Sequence, residues 1–170
     1  MAGRRKEGPA LRQTHTLAPV YDAESEILIL GSFPSVKSRE QGFYYAHPQN
    51  RFWKLLAALY GSGELGTVAD KRAFLRAHRI ALWDVLQSCD ITGSGDASIR
   101  GAVPNDLAPL LATAHIRRVF ANGKTAAVLY RRFLYPRYGM EIVGLPSTSP
   151  ANAAYSMEKL LADWRQVKDA

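Results

Sequence analysis

Ile27-Leu28-Ile29-Leu30-Gly31 is a short, unbroken apolar run that stops at a glycine. A strand with one face in water alternates apolar and polar residues, whereas a strand covered on both faces is apolar throughout. The run therefore reads as a buried strand, and the chain beyond it alternates helices with further strands. Phe52–Tyr60 has helical apolar spacing and stops at Gly61. Thr67–His78 reads as a second helix, with Asp70 in its first turn and Arg76 and His78 in its last, as the helix dipole prefers. Ile80–Leu86 is the second expected strand, and the polar, glycine-rich stretch Ser88–Arg100 an expected loop. Pro104-Asn105-Asp106 opens an expected third helix to about Ala114, with Asn105 as its cap. Arg118–Ala121 is a strand turned by Gly123 into a helix over Lys124–Phe133. Met140–Leu145 is the fourth strand, Pro146–Asn152 a loop, and Ser156–Lys168 the last helix. This alternation predicts an α/β domain over residues 14–170 with a mainly parallel central sheet. Residues 1–13, with Arg4, Arg5, Lys6 and Arg12 and little apolar content, read as a disordered basic tail.

The 170 residues are 47% hydrophobic and 22% charged, ordinary for one soluble domain with a core. Lys and Arg number 22 against 15 acids, a net charge of +7, which favours a polyanionic partner such as nucleic acid. Cys89 stands alone, which excludes a disulfide within the chain and a thiolate-held cluster. His15, His47, His78 and His115 have no metal-ligand spacing, so no metal or cofactor is expected. No apolar run reaches the roughly 18 residues of a membrane span, and the basic N-terminus lacks a signal peptide's apolar stretch. A cytoplasmic monomer is the expectation. The turn after the first strand is neither G-x-G-x-x-G nor a Walker loop, which argues against a nucleotide-binding domain.

In parallel sheets function gathers where loops leave the carboxyl ends of strands. One such loop runs Gly31-Ser32-Phe33-Pro34-Ser35 and on to Gly42-Phe43-Tyr44-Tyr45-Ala46-His47-Pro48-Gln49-Asn50-Arg51-Phe52-Trp53-Lys54. The other is Leu145-Pro146-Ser147-Thr148-Ser149-Pro150-Ala151-Asn152. Aromatic faces stack on bases, amides read base edges, and small Ser/Pro loops pinch phosphates.

The run Gly42–Lys54 resembles a segment of the mismatch-specific uracil-DNA glycosylases, G-F-aromatic-aromatic-A-H-P-x-N-R-F-W-K. Gly31–Ser35 resembles the first motif of the uracil-DNA glycosylase superfamily, and Leu145–Asn152 stands where its second motif sits. GSFPS, V-P-N-D-L and LPSTSPAN look like the hypoxanthine-DNA glycosylase branch, and the resemblance covers about Tyr21 to Val167. It implies a three-layer α/β/α sandwich and an enzyme that flips a deaminated base, most simply hypoxanthine, out of DNA and hydrolyses its glycosidic bond. A uracil or mixed deaminated-base enzyme, or a non-catalytic DNA-binding relative, is the alternative.

The resemblance also assigns roles. Tyr45 stands at the stacking position, with Tyr44 beside it. The superfamily places a water-orienting Asp or Asn where this chain has Phe33. Asn50 takes over that task in the expectation, through its amide oxygen. Asn122 and Asp84 read the base edge, and backbone N–H groups at Ser32 and Phe33 face its oxygen. Ser147, Thr148, Ser149, Pro150, Ala151 and Asn152 press on the DNA, with Ser35, Lys37 and Arg51 as further DNA contacts.

Overall fold

The computed structural model describes residues 11–91 and 100–170. Four parallel strands form the central sheet: β2 (Ile27–Gly31), β3 (Ile80–Asp84), β6 (Arg118–Asn122) and β7 (Ile142–Leu145), in the order β3-β2-β6-β7. Both faces are covered. Ile27, Ile29, Ile80, Leu82, Phe120 and Leu145 point to one side, where α2 (Phe52–Leu59), α3 (Val68–Ala77) and α7 (Met157–Lys168) pack. Leu28, Leu30, Ala81, Val119, Ala121 and Ile142 point to the other, against α4 (Ala108–Thr113) and α5 (Lys124–Phe133). Successive residues of β2 thus alternate between two cores, which is why the run is apolar at every position. Each fully buried aliphatic side chain stabilises the fold by about 1.5–3 kcal/mol.

A second sheet departs from the expectation. β1 (Leu11–Thr14), β4 (Leu86–Ile91) and β5 (Arg100–Pro104) form an antiparallel sheet in the order β1-β4-β5. Residues 11–13, assigned above to the tail, are therefore part of a strand; residues 1–10 lie outside the described residues. The expected loop Ser88–Arg100 is strand up to Ile91 and again from Arg100, and residues 92–99 lie outside the described residues. Polar side chains such as Arg12, Ser88 and Asp90 hide these strands, but they satisfy one another across the sheet: Arg12 donates to Ser88 Oγ at 2.8 Å and to Asp90 Oδ1 at 3.3 Å.

β3 runs into β4 through Val85, whose N–H donates to Gly31 O at 2.8 Å. Asn105 staples this bend rather than capping a helix: its Nδ2 donates to the carbonyls of Asp84 and Leu86. α4 starts later than expected, at Ala108, where Asp106 Oδ1 accepts the Ala108 N–H. Two short helices were not foreseen, α1 (Val36–Gln41) and α6 (Tyr135–Tyr138).

Candidate active site

From β2 the chain crosses one way to β3 and then back past β2 to β6, so the loops after β2 and β6 diverge. A crevice opens at their carboxyl ends, the switch point where ligands of such sheets bind. A cleft of about 280 Å³ lies there, lined by Gly31–Ser35, Ser38, Tyr44, Tyr45, Asn50, Asp84, Asn122, Ser147–Ser149 and Ala151. It brings together Asn50, Tyr45, Tyr44, Phe33, Ser32, Asn122, Asp84 and Ser35, which are scattered over the sequence. Lys37, Arg51, Pro150 and Asn152 are not among its lining residues.

Gly31 and Asp84 are paired on the last rung between β2 and β3. The glycine lets the carboxylate lean across its neighbour: a Cβ at residue 31 would lie 2.4 Å from Asp84 Oδ1 and 3.2 Å from Tyr45 Oη. Tyr45 adopts φ +52°, a left-handed conformation unusual for a non-glycine residue. That turn lays its ring on Phe52, with centroids 4.0 Å apart and planes at 23°. Its Oη is buried without a well-formed hydrogen bond among the described residues, beside the Asn122 amide, which spends one Nδ2 proton on Thr148 and has a second for the phenol. Burial, reinforced by the Asp84 charge, pushes the Tyr45 phenol well above the usual tyrosine range, and Tyr44 likewise. Tyr44 is a strut: its hydroxyl donates to Ala18 O at 2.9 Å, and its carbonyl accepts from Trp53 Nε1.

One wall is a directed chain of hydrogen bonds. Asn122 grips Thr148 at both ends, accepting its N–H on Oδ1 and donating from Nδ2 to its Oγ1, each at 3.0 Å. Thr148 Oγ1 donates to Asn50 Oδ1 at 2.8 Å, and the Phe52 N–H donates to the same oxygen at 3.0 Å. A main-chain N–H only donates, so the Asn50 amide cannot be flipped. Both lone pairs of its oxygen are thereby taken. The oxygen expected to orient water is engaged, and Nδ2–H is the group of Asn50 with no partner among the described residues. Asn122, expected at the base edge, lines the cleft and also holds the loop.

Three of the expected DNA contacts have partners within the protein. Thr148 is fully buried and braces the wall. The Arg51 guanidinium donates to the carbonyls of Tyr155, Ser149 and Asn152, and its N–H to Thr148 O, which makes it the internal strut of the second loop. Ser35 caps α1, accepting the Ser38 N–H. Two residues were missed. Ser38 Oγ accepts the Ala46 N–H and so ties α1 to the aromatic loop. His15 Nε2 lies 2.8 Å from Asp84 Oδ2, both side chains almost wholly buried. Neither position carries a local sequence signal, and His15 is 69 residues from its partner.

Residues 18–168 match the family model of the uracil DNA glycosylase superfamily. The chain is 35% identical over 150 residues to a hypoxanthine DNA glycosylase of Methanosarcina acetivorans, covering 87% of this chain and 93% of that one. It is 33% identical over 152 residues to a hypoxanthine DNA glycosylase of Methanosarcina barkeri, covering 88% and 94%. A solution NMR structure of a candidate uracil DNA glycosylase from Methanosarcina acetivorans superposes with a TM-score of 0.76 at 32% identity, over 93% of this chain and 99% of that one. Among the described residues no helix is long and apolar enough to cross a membrane. The match spans both loops that build the cleft, and the chain belongs to the uracil DNA glycosylase superfamily.

Proposed function

We propose that the chain excises hypoxanthine from DNA, acting as a single subunit that hydrolyses the glycosidic bond of a flipped deoxyinosine. The observation that carries this reading is the cleft itself, where an aromatic platform, a fixed amide and a buried carboxylate meet at the switch point of the sheet. At about 280 Å³ it lies just under the roughly 300–1,000 Å³ range of drug-sized pockets, which suits one flat ring system. The two relatives named above as hypoxanthine DNA glycosylases support the choice of base.

One face of the Tyr45 ring rests on Phe52, and the other takes the base, a stacking contact of about 1–3 kcal/mol. As the bond to C1′ breaks, electrons move onto the base and the sugar becomes cationic. Asn50 Nδ2–H is a preorganised donor for that developing negative charge, held in place at no cost during the reaction. Water then adds to the cationic C1′ and releases a proton to solvent while the departing base takes one up; an amide takes no proton, so Asn50 contributes by stabilising charge. Outside the cleft, a broader trough of about 710 Å³ runs between the start of α5 and the second loop, lined in part by Lys124, Arg131, Ser147 and Ser149. Its cations and hydroxyls suit the phosphates flanking the flipped nucleotide.

The test is product analysis on duplexes carrying inosine, uracil or xanthine. Free hypoxanthine and an abasic site, formed faster than the other two products, is the expected result. Tight duplex binding without release of any base overturns the enzymatic reading.

A further inference from the structure

Behind the cleft, Asp84 is held by a histidine that no motif announces. His15 follows β1 in the small antiparallel sheet, yet its ring reaches the floor of the parallel sheet. Its Nδ1 accepts the Leu17 N–H at 3.1 Å, so the ring carries its proton on Nε2 and donates it to Asp84 Oδ2 at 2.8 Å. The side chains are 2% and 4% exposed. Phe33 packs edge-on against the imidazole at 5.8 Å, and Trp83 closes another side at 6.5 Å. A buried carboxylate is costly unless its oxygens are used. Here Oδ2 is occupied by His15, while Oδ1 leans over Gly31 into the cleft and meets no donor among the described residues.

We infer that His15 is the positioning residue of the base reader: the imidazole fixes the Asp84 carboxylate so that Oδ1, the edge reader expected from the sequence, accepts the N–H of a lactam edge. Deamination turns the amidine edge of adenine, a bare ring nitrogen beside an amino group, into such a lactam, an N–H beside a C=O. A fixed acceptor therefore pairs with the damaged base and faces a lone pair on the undamaged one. Sites that present a buried hydrogen-bonding group to a substrate discriminate far better than apolar pockets do. His15 is a positioning residue, and Asp84 is the group that touches the base. The inference rests on the excision of hypoxanthine proposed above.

The experiment measures single-turnover base release from duplexes carrying deoxyinosine or N1-methyldeoxyinosine, the second lacking the N–H. In the wild-type protein methylation is expected to slow release at least tenfold. Asp84→Ala is expected to slow release of hypoxanthine at least tenfold and to reduce the methylation penalty below threefold, because the partner of the N–H is gone. Asp84→Asn preserves the shape of the floor and is the variant to read if the alanine protein melts early. In it His15 holds the amide oxygen, so an amide N–H faces the lactam N–H and the rate falls. His15→Phe fills the space but donates nothing and is expected to behave like Asp84→Ala. His15→Gln keeps a donor and restores release to within a few-fold of wild type. A methylation penalty unchanged in the Asp84 variants, or a His15→Phe protein as fast and selective as wild type, overturns the pair's role while leaving excision intact. Wild-type protein that releases no hypoxanthine overturns the proposed function and the inference together.

Discussion

Replacing Thr148 by valine removes one hydroxyl from a fully buried site and leaves the shape unchanged. Two hydrogen bonds go with it, the 2.8 Å donation to Asn50 Oδ1 and the 3.0 Å acceptance from Asn122 Nδ2. The Asn122 N–H is left without its partner in the wall, at about 1–3 kcal/mol, and the Asn50 bond is worth about 0.5–1.5 kcal/mol more. The extra methyl group offsets part of that, so a loss of about 2–3 kcal/mol is expected. For a chain of this size each kcal/mol shifts Tm by about 2–4 °C, which gives a fall of roughly 5–10 °C by calorimetry. Asn50 is then held only by the Phe52 N–H and can swing out of line. Misplacing a catalytic group by about 1 Å costs on the order of a hundredfold, so single-turnover release at saturating protein should fall about 10- to 100-fold. Thr148→Ser, which keeps the hydroxyl, should recover most of the rate. A valine variant with wild-type Tm and rate would show that the chain of amides holds nothing, and the argument for Asn50 would go with it.

Asn50→Asp keeps an acceptor for both of its present donors but loses the N–H, so its rate should fall about as far as that of Asn50→Ala, roughly 10²–10³-fold; an active aspartate variant would return the role to the oxygen. Arg51→Lys cannot reach three carbonyls at once, and its Tm should drop by several degrees while the slope of log K against log salt for DNA binding stays put; a slope shallower by about one would make Arg51 a phosphate contact after all. Gly31→Ala drives a methyl into Asp84 Oδ1 and should cost about 1–3 kcal/mol together with most of the activity, read by melting and base release; a stable, active alanine variant would refute the close approach. Burial, with Glu141 adding to it, pushes the Tyr130 phenol up to about 12. Its folded value lies above the ordinary 10, so this stabilisation is complete below pH 10 and is lost as pH rises towards 12. Absorbance titration at pH 11 should therefore show fewer phenolates than eight free tyrosines would give, with full ionisation on adding denaturant.

The parallel sheet was legible because burial on both faces writes itself into sequence as unbroken apolar runs, Ile27–Leu30 above all. Helix ends followed from caps and glycines: α5 starts and stops where Gly123 and the apolar spacing say. The antiparallel sheet was illegible for the opposite reason. Arg12, Ser88 and Asp90 look like loop chemistry until the strands pair and the groups bond across them. In the cleft, residue identities could be read from the two loops, but the directions of their hydrogen bonds could not. Asn122 and Thr148 read as ligand contacts because nothing in a linear chain says that they will satisfy each other over 26 residues. The His15–Asp84 contact joins two sheets, one of which was not foreseen.

Among the described residues β1 pairs with β4 alone, and His15 hangs from its end, so the segment from residue 11 reaches the Asp84 carboxylate beside the cleft. A version trimmed to begin at Thr16 would keep every strand of the parallel sheet and every residue of both signature loops, yet Asp84 would lose the imidazole that braces it. Shortening or grafting at that end would remove a buried contact at the cleft, although the join looks, along the sequence, like the least consequential place to cut.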